Sequence, residues 1–306
     1  MLSVHKITHQ AVEGKDPIRQ MIEERGMTYA IINNDLFDKL YCQTSVPGIN
    51  YDKEKKEWLP GETTFNDLEL ITYIFIQFTV INKINLSTKE MADYIGCSDK
   101  QLKVVLKRLQ HFKGVTNAEY NTFSDSVRIV EEKEVPLISV KDHTAYIREK
   151  KKSKKTKHYY TNFLPMHKEV SSGDRKIITP ENFFIVTIED FDLLTHKKLS
   201  KTEFITYLYL LKSFKSGAKI EKQVYWSFSK LAHNLNYRLV QTVHNHIEKL
   251  INLKLIAEHR PANYNEKVAN GQEPSAKYEP VFNLAKLVEM SFEKEEVNSQ
   301  KEEVNF

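Results

Sequence analysis

The heptapeptide ITYIFIQ at 71–77 returns as ITYLYLL at 205–211. A chain that repeats itself is read first as copies of one folding unit, because each copy carries the same instructions for local structure. The likeness runs in both directions. Glu69 and Glu203 each stand two residues ahead of the heptapeptide, and TYAIINNDLFDKL (28–40) answers FFIVTIEDFDLL (183–194), with Phe37-Asp38 and Leu40 on Phe191-Asp192 and Leu194. Downstream, Met91-Ala92 falls on Leu231-Ala232, Leu102 on Val243, Leu106 on Ile247 and Leu109 on Leu250, with a one-residue slip in between. The first copy carries an insertion at 42–62. A chain of 306 residues with 41% hydrophobic content can bury two cores, which is what a duplication requires. The expected organisation is an N-terminal arm (1–26), a first domain (27–142), a basic hairpin or linker (143–176), a second domain (177–288) and an acidic flexible tail (289–306).

Each copy reads as a strand-like lead, a long apolar helix and two amphipathic helices joined by a tight turn. In the first copy Gly96 breaks one helix and Ser98 opens the next, with Gln101 placed to complete a capping box. Leu102, Val105, Leu106 and Leu109 then form one apolar stripe at spacings of three and four, leaving Lys100, Lys103, Val104 and Lys107 on the other face. In the second copy the stripe is Val243, Ile247 and Leu250, and Gln241, His244, Asn245 and Glu248 point away from it. Two helices around a short turn constitute a helix-turn-helix, whose second helix can enter a DNA major groove.

The net charge is only +4, so the positive charge is concentrated rather than general. Residues 148–157 hold seven positive side chains in ten positions, followed by Tyr159-Tyr160, while the tail from Glu289 carries six Glu and two Lys. The flanks HTAYIRE and HYYTNFL are β-prone, which predicts a hairpin over 143–164 with KKKSKKTK at its tip, placing Lys151, Lys152, Lys154, Lys155 and Lys157 against DNA phosphates. A solvated linker is the plainer reading of a lysine run; two adjacent helix-turn-helix patterns favour the gripping role.

The segments LLTHKKLSKTEFITYLYLL, SFSKLAHNL, TVHNHIEKL and INLKLI, matched more loosely by STKEMADYI, QLKVVLKRL and HFKGV in the first copy, resemble the winged helix-turn-helix domains at the front of plasmid replication initiators and phage replication proteins. The resemblance covers most of the chain and departs from the family at Leu239, where a capping serine is usual. It implies a mainly α fold with small β-hairpins, built as two homologous winged helix-turn-helix domains. It also implies a wing after each second helix, which IAEHR (256–260) and KYEPVFNL (277–284) would form around a polar loop in the second copy. VRIVEE (127–132) follows the first copy's helices. The residues expected to face double-stranded DNA are Ser98, Lys100, Gln101, Lys103, Val104 and Lys107 in one copy. In the other they are Arg238, Gln241, Thr242, His244, Asn245 and Arg260, with the hairpin lysines between. A transcriptional regulator of the same architecture, or a protein-interaction adaptor in a replication or segregation complex, is the alternative. The tail could dock replication or transcription machinery, or serve only to solubilise.

Other chemistry is set aside on composition and spacing. Cys42 and Cys97 provide neither a disulfide framework nor a zinc site. Gly14-Lys15 lacks the preceding glycine of a phosphate loop, and Asp190 and Asp192 flank an apolar residue in a segment that opens a core. His244-Asn245-His246 has the spacing of a nickase metal pair, but it reads as helix, where residues two apart point to different sides. No catalytic site, metal or cofactor is expected. No secretory leader or membrane span is read in the sequence, the longest apolar run (Ile71–Val80) being interrupted by polar residues, so a cytoplasmic location is expected. The oligomeric state stays open.

Overall fold

The computed structural model describes residues 29–81, 84, 86–121, 126–147, 152–172, 175–195, 197–213, 224–272 and 274–280. The expected N-terminal arm and acidic tail lie outside them. The chain forms two compact units, 1–205 and 206–306. In chain order, strand β1 (Tyr29–Asn33) leads into α1 (Leu36–Tyr41), a single π-helical segment, and the hairpin β2 (Val46–Asp52) with β3 (Glu57–Thr63) follows. Three helices come next: α2 (Asp67–Ile81), α3 (Thr88–Ile95) and α4 (Asp99–Leu109). Three more hairpins occupy the middle of the chain: β4 (Lys113–Asn121) with β5 (Ser126–Pro136), β6 (Ile138–Ile147) with β7 (Lys152–Thr161), and β8 (His167–Ser172) with β9 (Arg175–Pro180). The second copy then runs β10 (Phe183–Thr187), α5 (Ile188–Thr195), α6 (Lys201–Ser213), β11 (Val224–Trp226), α7 (Phe228–Asn234), α8 (Val240–Asn252), β12 (Ile256–His259), α9 (Tyr264–Ala269) and β13 (Ala276–Pro280).

Thirteen strands against nine helices among the described residues correct the expectation of a mainly α chain. The fold is α+β, with four antiparallel hairpins in the first unit alone. The discrepancy has a physical cause. Along β5 the side chains are exposed or half-exposed on both faces, so no period-two hydrophobic alternation marks it in the sequence. Its pairing comes from the backbone ladder to β4, which runs from Lys113 opposite Pro136 to Asn121 opposite Ser126 with a shift of register between Thr116 and Ala118. The insertion at 42–62 holds a further hairpin, with Val46 opposite Thr63.

The first unit is organised around α2, which is buried on every side from Glu69 to Thr79. Its Tyr73 hydroxyl donates to the Phe163 carbonyl at 2.7 Å, tying the helix to the chain just beyond β7. Phe75 and Phe78 pack on Phe191, and Phe191 on Phe204, so residues of the second copy complete the core of the first unit. The same is true of the lead strands. β1 pairs antiparallel with β10, and Ile31 lies opposite Ile185, its own counterpart in the repeat. Tyr29 meets Thr187 and Asn33 meets Phe183, so this ladder has the symmetry of an isologous contact within one chain. It draws the front of the second copy into the first unit.

The two helix-turn-helix segments close with the same hydrogen bonds. Gly96 adopts φ 68° and Asn236 φ 55°, the left-handed conformation that glycine and asparagine tolerate best. Cys97 N–H donates to the Ala92 carbonyl at 3.0 Å, and Tyr237 N–H to the Ala232 carbonyl at 2.9 Å. Buried Leu102, Val105, Leu106 and Leu109 hold α4, and Val243, His246, Ile247 and Leu250 hold α8. In the second unit, β11 and β12 flank β13 in a three-stranded antiparallel sheet. The segment between β12 and β13, expected to be a polar loop throughout, contains the short helix α9.

Candidate nucleic-acid interface

Helix α4 begins at Ser98, whose Oγ accepts from Gln101 N–H at 3.2 Å while the Gln101 side chain returns to Ser98 N–H at 3.0 Å. This capping box stabilises the helix start by about 1 kcal/mol. It also engages Ser98 and Gln101 with each other, although both remain exposed. Lys100, Lys103, Val104 and Lys107 are all exposed, with Val104 42% accessible between the lysines. Lys103 pairs with Asp99 at 2.5 Å. The other end of α4 is anchored. Arg108 forms an ion pair with Glu69, which is wholly inaccessible to solvent, and its guanidinium donates to Thr63 Oγ1 at 2.8 Å and to the Thr64 carbonyl at 2.6 Å. Burial raises the Glu69 carboxyl to about pH 7, outweighing Asn66 N–H and Arg108, which lower it.

Helix α8 begins differently. Its N-cap, Leu239, offers no side-chain cap and is 66% exposed. Gln241 donates to Asn245 Oδ1 at 2.8 Å, and His244 stands 3.6 Å from Glu248 and edge-on to Phe228. The outward face of α8 is thus polar, self-bonded and near neutral, whereas that of α4 is cationic. Thr242 and His244 are half-buried, Arg238 and Asn245 exposed. Arg260, just past β12, pairs with Glu258 at 2.9 Å and lies over the Tyr264 ring. His246 is buried and shares a 2.8 Å hydrogen bond with Thr206 Oγ1. It does not share a face with His244. Among the described residues no cluster of His, Cys, Asp or Glu could hold a metal ion, and no helix is long and apolar enough to cross a membrane.

The part of the basic run that lies within the described residues belongs to a strand. β6 pairs with β7 from Ile138 opposite Thr161 to Ile147 opposite Lys152, so Lys152, Lys154, Lys155 and Lys157 lie along a strand. The hairpin expected over 143–164 is present, but Lys152–Lys157, expected at its tip, are ladder residues, because the β-prone Thr144, Tyr146 and Ile147 of β6 carry the pairing into them. Lys157 is exposed. Lys151 lies outside the described residues, as do the side chains of Lys152, Lys154 and Lys155.

The two tyrosines after the run, to which the sequence assigns no role, face opposite ways because successive strand residues do. Tyr159 bonds Thr88 and lies within electrostatic reach of Lys103 and Asp99, at the start of the helix-turn-helix; burial raises its hydroxyl pKa. This brings the Tyr159 end of β7 to the starts of α3 and α4. Tyr160 turns to the other side, where Lys141 lies 5.2 Å from its ring centroid. The signal available in the sequence was the adjacency itself, read with a period of two. Comparison with known proteins gave no matching family model, no matching curated protein and no matching solved structure.

Proposed function

We propose that the protein binds double-stranded DNA, with α4 and α8 reading major grooves at a composite, asymmetric site. The observation that carries this reading is the pair of helix-turn-helix segments with identical turn hydrogen bonds and buried inner stripes that are apolar but for His246. Each leaves its second helix with an outward face free of core duties. The lysines of α4, beside the basic strand β7, supply the phosphate attraction that dominates such affinity. Gln241 and Asn245 have the donor–acceptor pattern suited to adenine. The function within that class is replication initiation, on the strength of the resemblance alone. A map of occupied sites across the host replicon tests it: occupancy at an origin supports initiation, and occupancy confined to promoters replaces it with transcriptional control.

The DNA reading is tested by replacing Lys100, Lys103 and Lys107 with alanine. Affinity for all duplexes falls, and the log–log salt slope flattens by about 0.9 for each phosphate that is no longer neutralised. An unchanged slope removes α4 from the interface. A full-length chain that binds no duplex at low salt ends the reading altogether.

A further inference from the structure

Between the β4–β5 and β6–β7 hairpins lies a groove of about 290 Å³. Tyr120 and Lys133 come from one hairpin, and Ser139, Lys141, Tyr160 and Asn162 from the other and its exit, with Val135 and Leu164 among the apolar walls. The chain next to the groove is closely packed. Phe163 packs so tightly on Gly114 that a Cβ there would meet its ring at 2.4 Å, and Leu137 N–H donates to the Phe112 carbonyl at 2.9 Å.

The charges on the walls are arranged for an anion. Glu119, the one carboxylate of the lining, is already paired with both Arg128 and Lys133, which hold its carboxyl below the usual carboxylate range. Two cations on one carboxylate leave positive charge in excess, and Lys141 adds to it. Tyr160 offers an aromatic face on which Lys141 rests. Asn162 uses one amide N–H on the Pro136 carbonyl at 3.1 Å and one lone pair of Oδ1 for the Ser139 hydroxyl at 3.2 Å. These two bonds use one donor and one acceptor of an amide that has two of each, and such a group can pair with the edge of adenine. The volume sits at the lower end of small-molecule sites, roughly 300 Å³ and upward, which suits one nucleotide unit.

We propose that this groove binds a single nucleotide, its base against Tyr160 and Asn162 and its phosphate on Lys141 and Lys133. The chemistry is shared by a free nucleotide and by an unpaired nucleotide within a strand. No groove residue belongs to a recognition helix, so the inference stands whether or not the duplex reading does.

The test titrates the full-length protein with deoxyadenosine monophosphate, inorganic phosphate and a single-stranded deoxyadenosine oligomer. Saturable 1:1 binding of the nucleotide, tighter than phosphate, is expected. Tyr160→Ala weakens it by about 5- to 150-fold, the range for one stacked base, and Tyr160→Phe leaves it within twofold because the ring does the stacking. Preferential binding of the oligomer, abolished in Tyr160→Ala with duplex affinity unchanged, assigns the source to a strand; binding of the mononucleotide without competition from the oligomer assigns it to a free nucleotide. Should Tyr160→Ala fail to fold by circular dichroism, Lys141→Ala replaces it, with an expected loss of phosphate-dependent affinity and rescue by Lys141→Arg. The proposal is overturned if neither nucleotide nor oligomer binds saturably, if phosphate binds as well as the nucleotide, or if Tyr160→Phe is as damaging as the loss of the ring.

Discussion

The segments α3–α4 and α7–α8 share a backbone and differ in almost every outward side chain. Their turns close on the same hydrogen bonds, and their inner stripes occupy the same four positions. Outside, α4 presents lysines behind a satisfied cap, and α8 presents amides and an imidazole behind the uncapped, exposed Leu239. Even inside, one substitution has spread. Where α8 has His246 bonded to Thr206, α4 has Val105, and the buried Thr72 hydroxyl, counterpart of Thr206, finds no partner among the described residues. The difference teaches that the two copies share their packing and differ at the surface; on the proposed reading α4 meets phosphates and α8 base edges.

If the shared packing is as equivalent as it looks, Leu106→Ala and Ile247→Ala should cost similar amounts, about 2–5 kcal/mol each, in equilibrium denaturation. A large cost in one copy and a negligible one in the other would break the comparison at its base.

A second measurement separates the copies by pH. Glu69 is buried with a carboxyl raised from 4.5 to about 7. Its folded form therefore holds a proton that the unfolded form releases, and stability declines as pH rises from 4.5 to 7, by about 3 kcal/mol across that window. Below pH 4.5 both forms are protonated and the contribution is level. Glu69→Gln keeps the carbonyl that accepts from Asn66 N–H and should flatten this slope. A wild-type curve already flat over the window counts against the burial argument.

At the next level down, Asn245→Ala should relax preference at one adenine in one half of the site, by about 1–3 kcal/mol, in a binding-selection assay. Equal relaxation in both halves would erase the functional asymmetry. The smallest effect concerns the caps. Ser98→Ala should destabilise by about 1 kcal/mol, and Leu239→Ser should gain no more than that by supplying the missing acceptor. If Leu239→Ser also weakens duplex binding, the exposed leucine belongs to the interface.

Much of the helical part of this molecule was legible in the sequence, because Leu102, Leu106 and Leu109 recur at helical spacing and Ser98 with Gln101 spells a cap. The glutamates ahead of each heptapeptide turn out to be capping residues too, accepting from Asn66 and Ser200 N–H. The hairpins were harder to see. The one over 143–164 was marked by its β-prone flanks, but β5 is exposed or half-exposed on both faces, and a strand held by its ladder leaves no hydrophobic rhythm to read. β11 has only three residues, too few for any pattern. Of the candidate interface, the lysines of α4 were visible as a face, but the proximity of β7 to that face was not. It depends on Tyr159 reaching Thr88 across 71 positions of chain.

The pairing of Ile31 with Ile185 also sets a clock. About 150 residues of chain separate β1 from β10. On a ribosome adding roughly 5–20 residues per second, the edge of β1 waits on the order of ten seconds or longer for its complement to emerge. Throughout that interval the first copy lacks both the strand that covers Tyr29–Asn33 and the Phe191 ring that packs on Phe75 and Phe78. An uncovered strand edge invites pairing with another nascent chain, so the rate of synthesis through residues 34–187 governs how much of the protein matures alone and how much is lost to its neighbours.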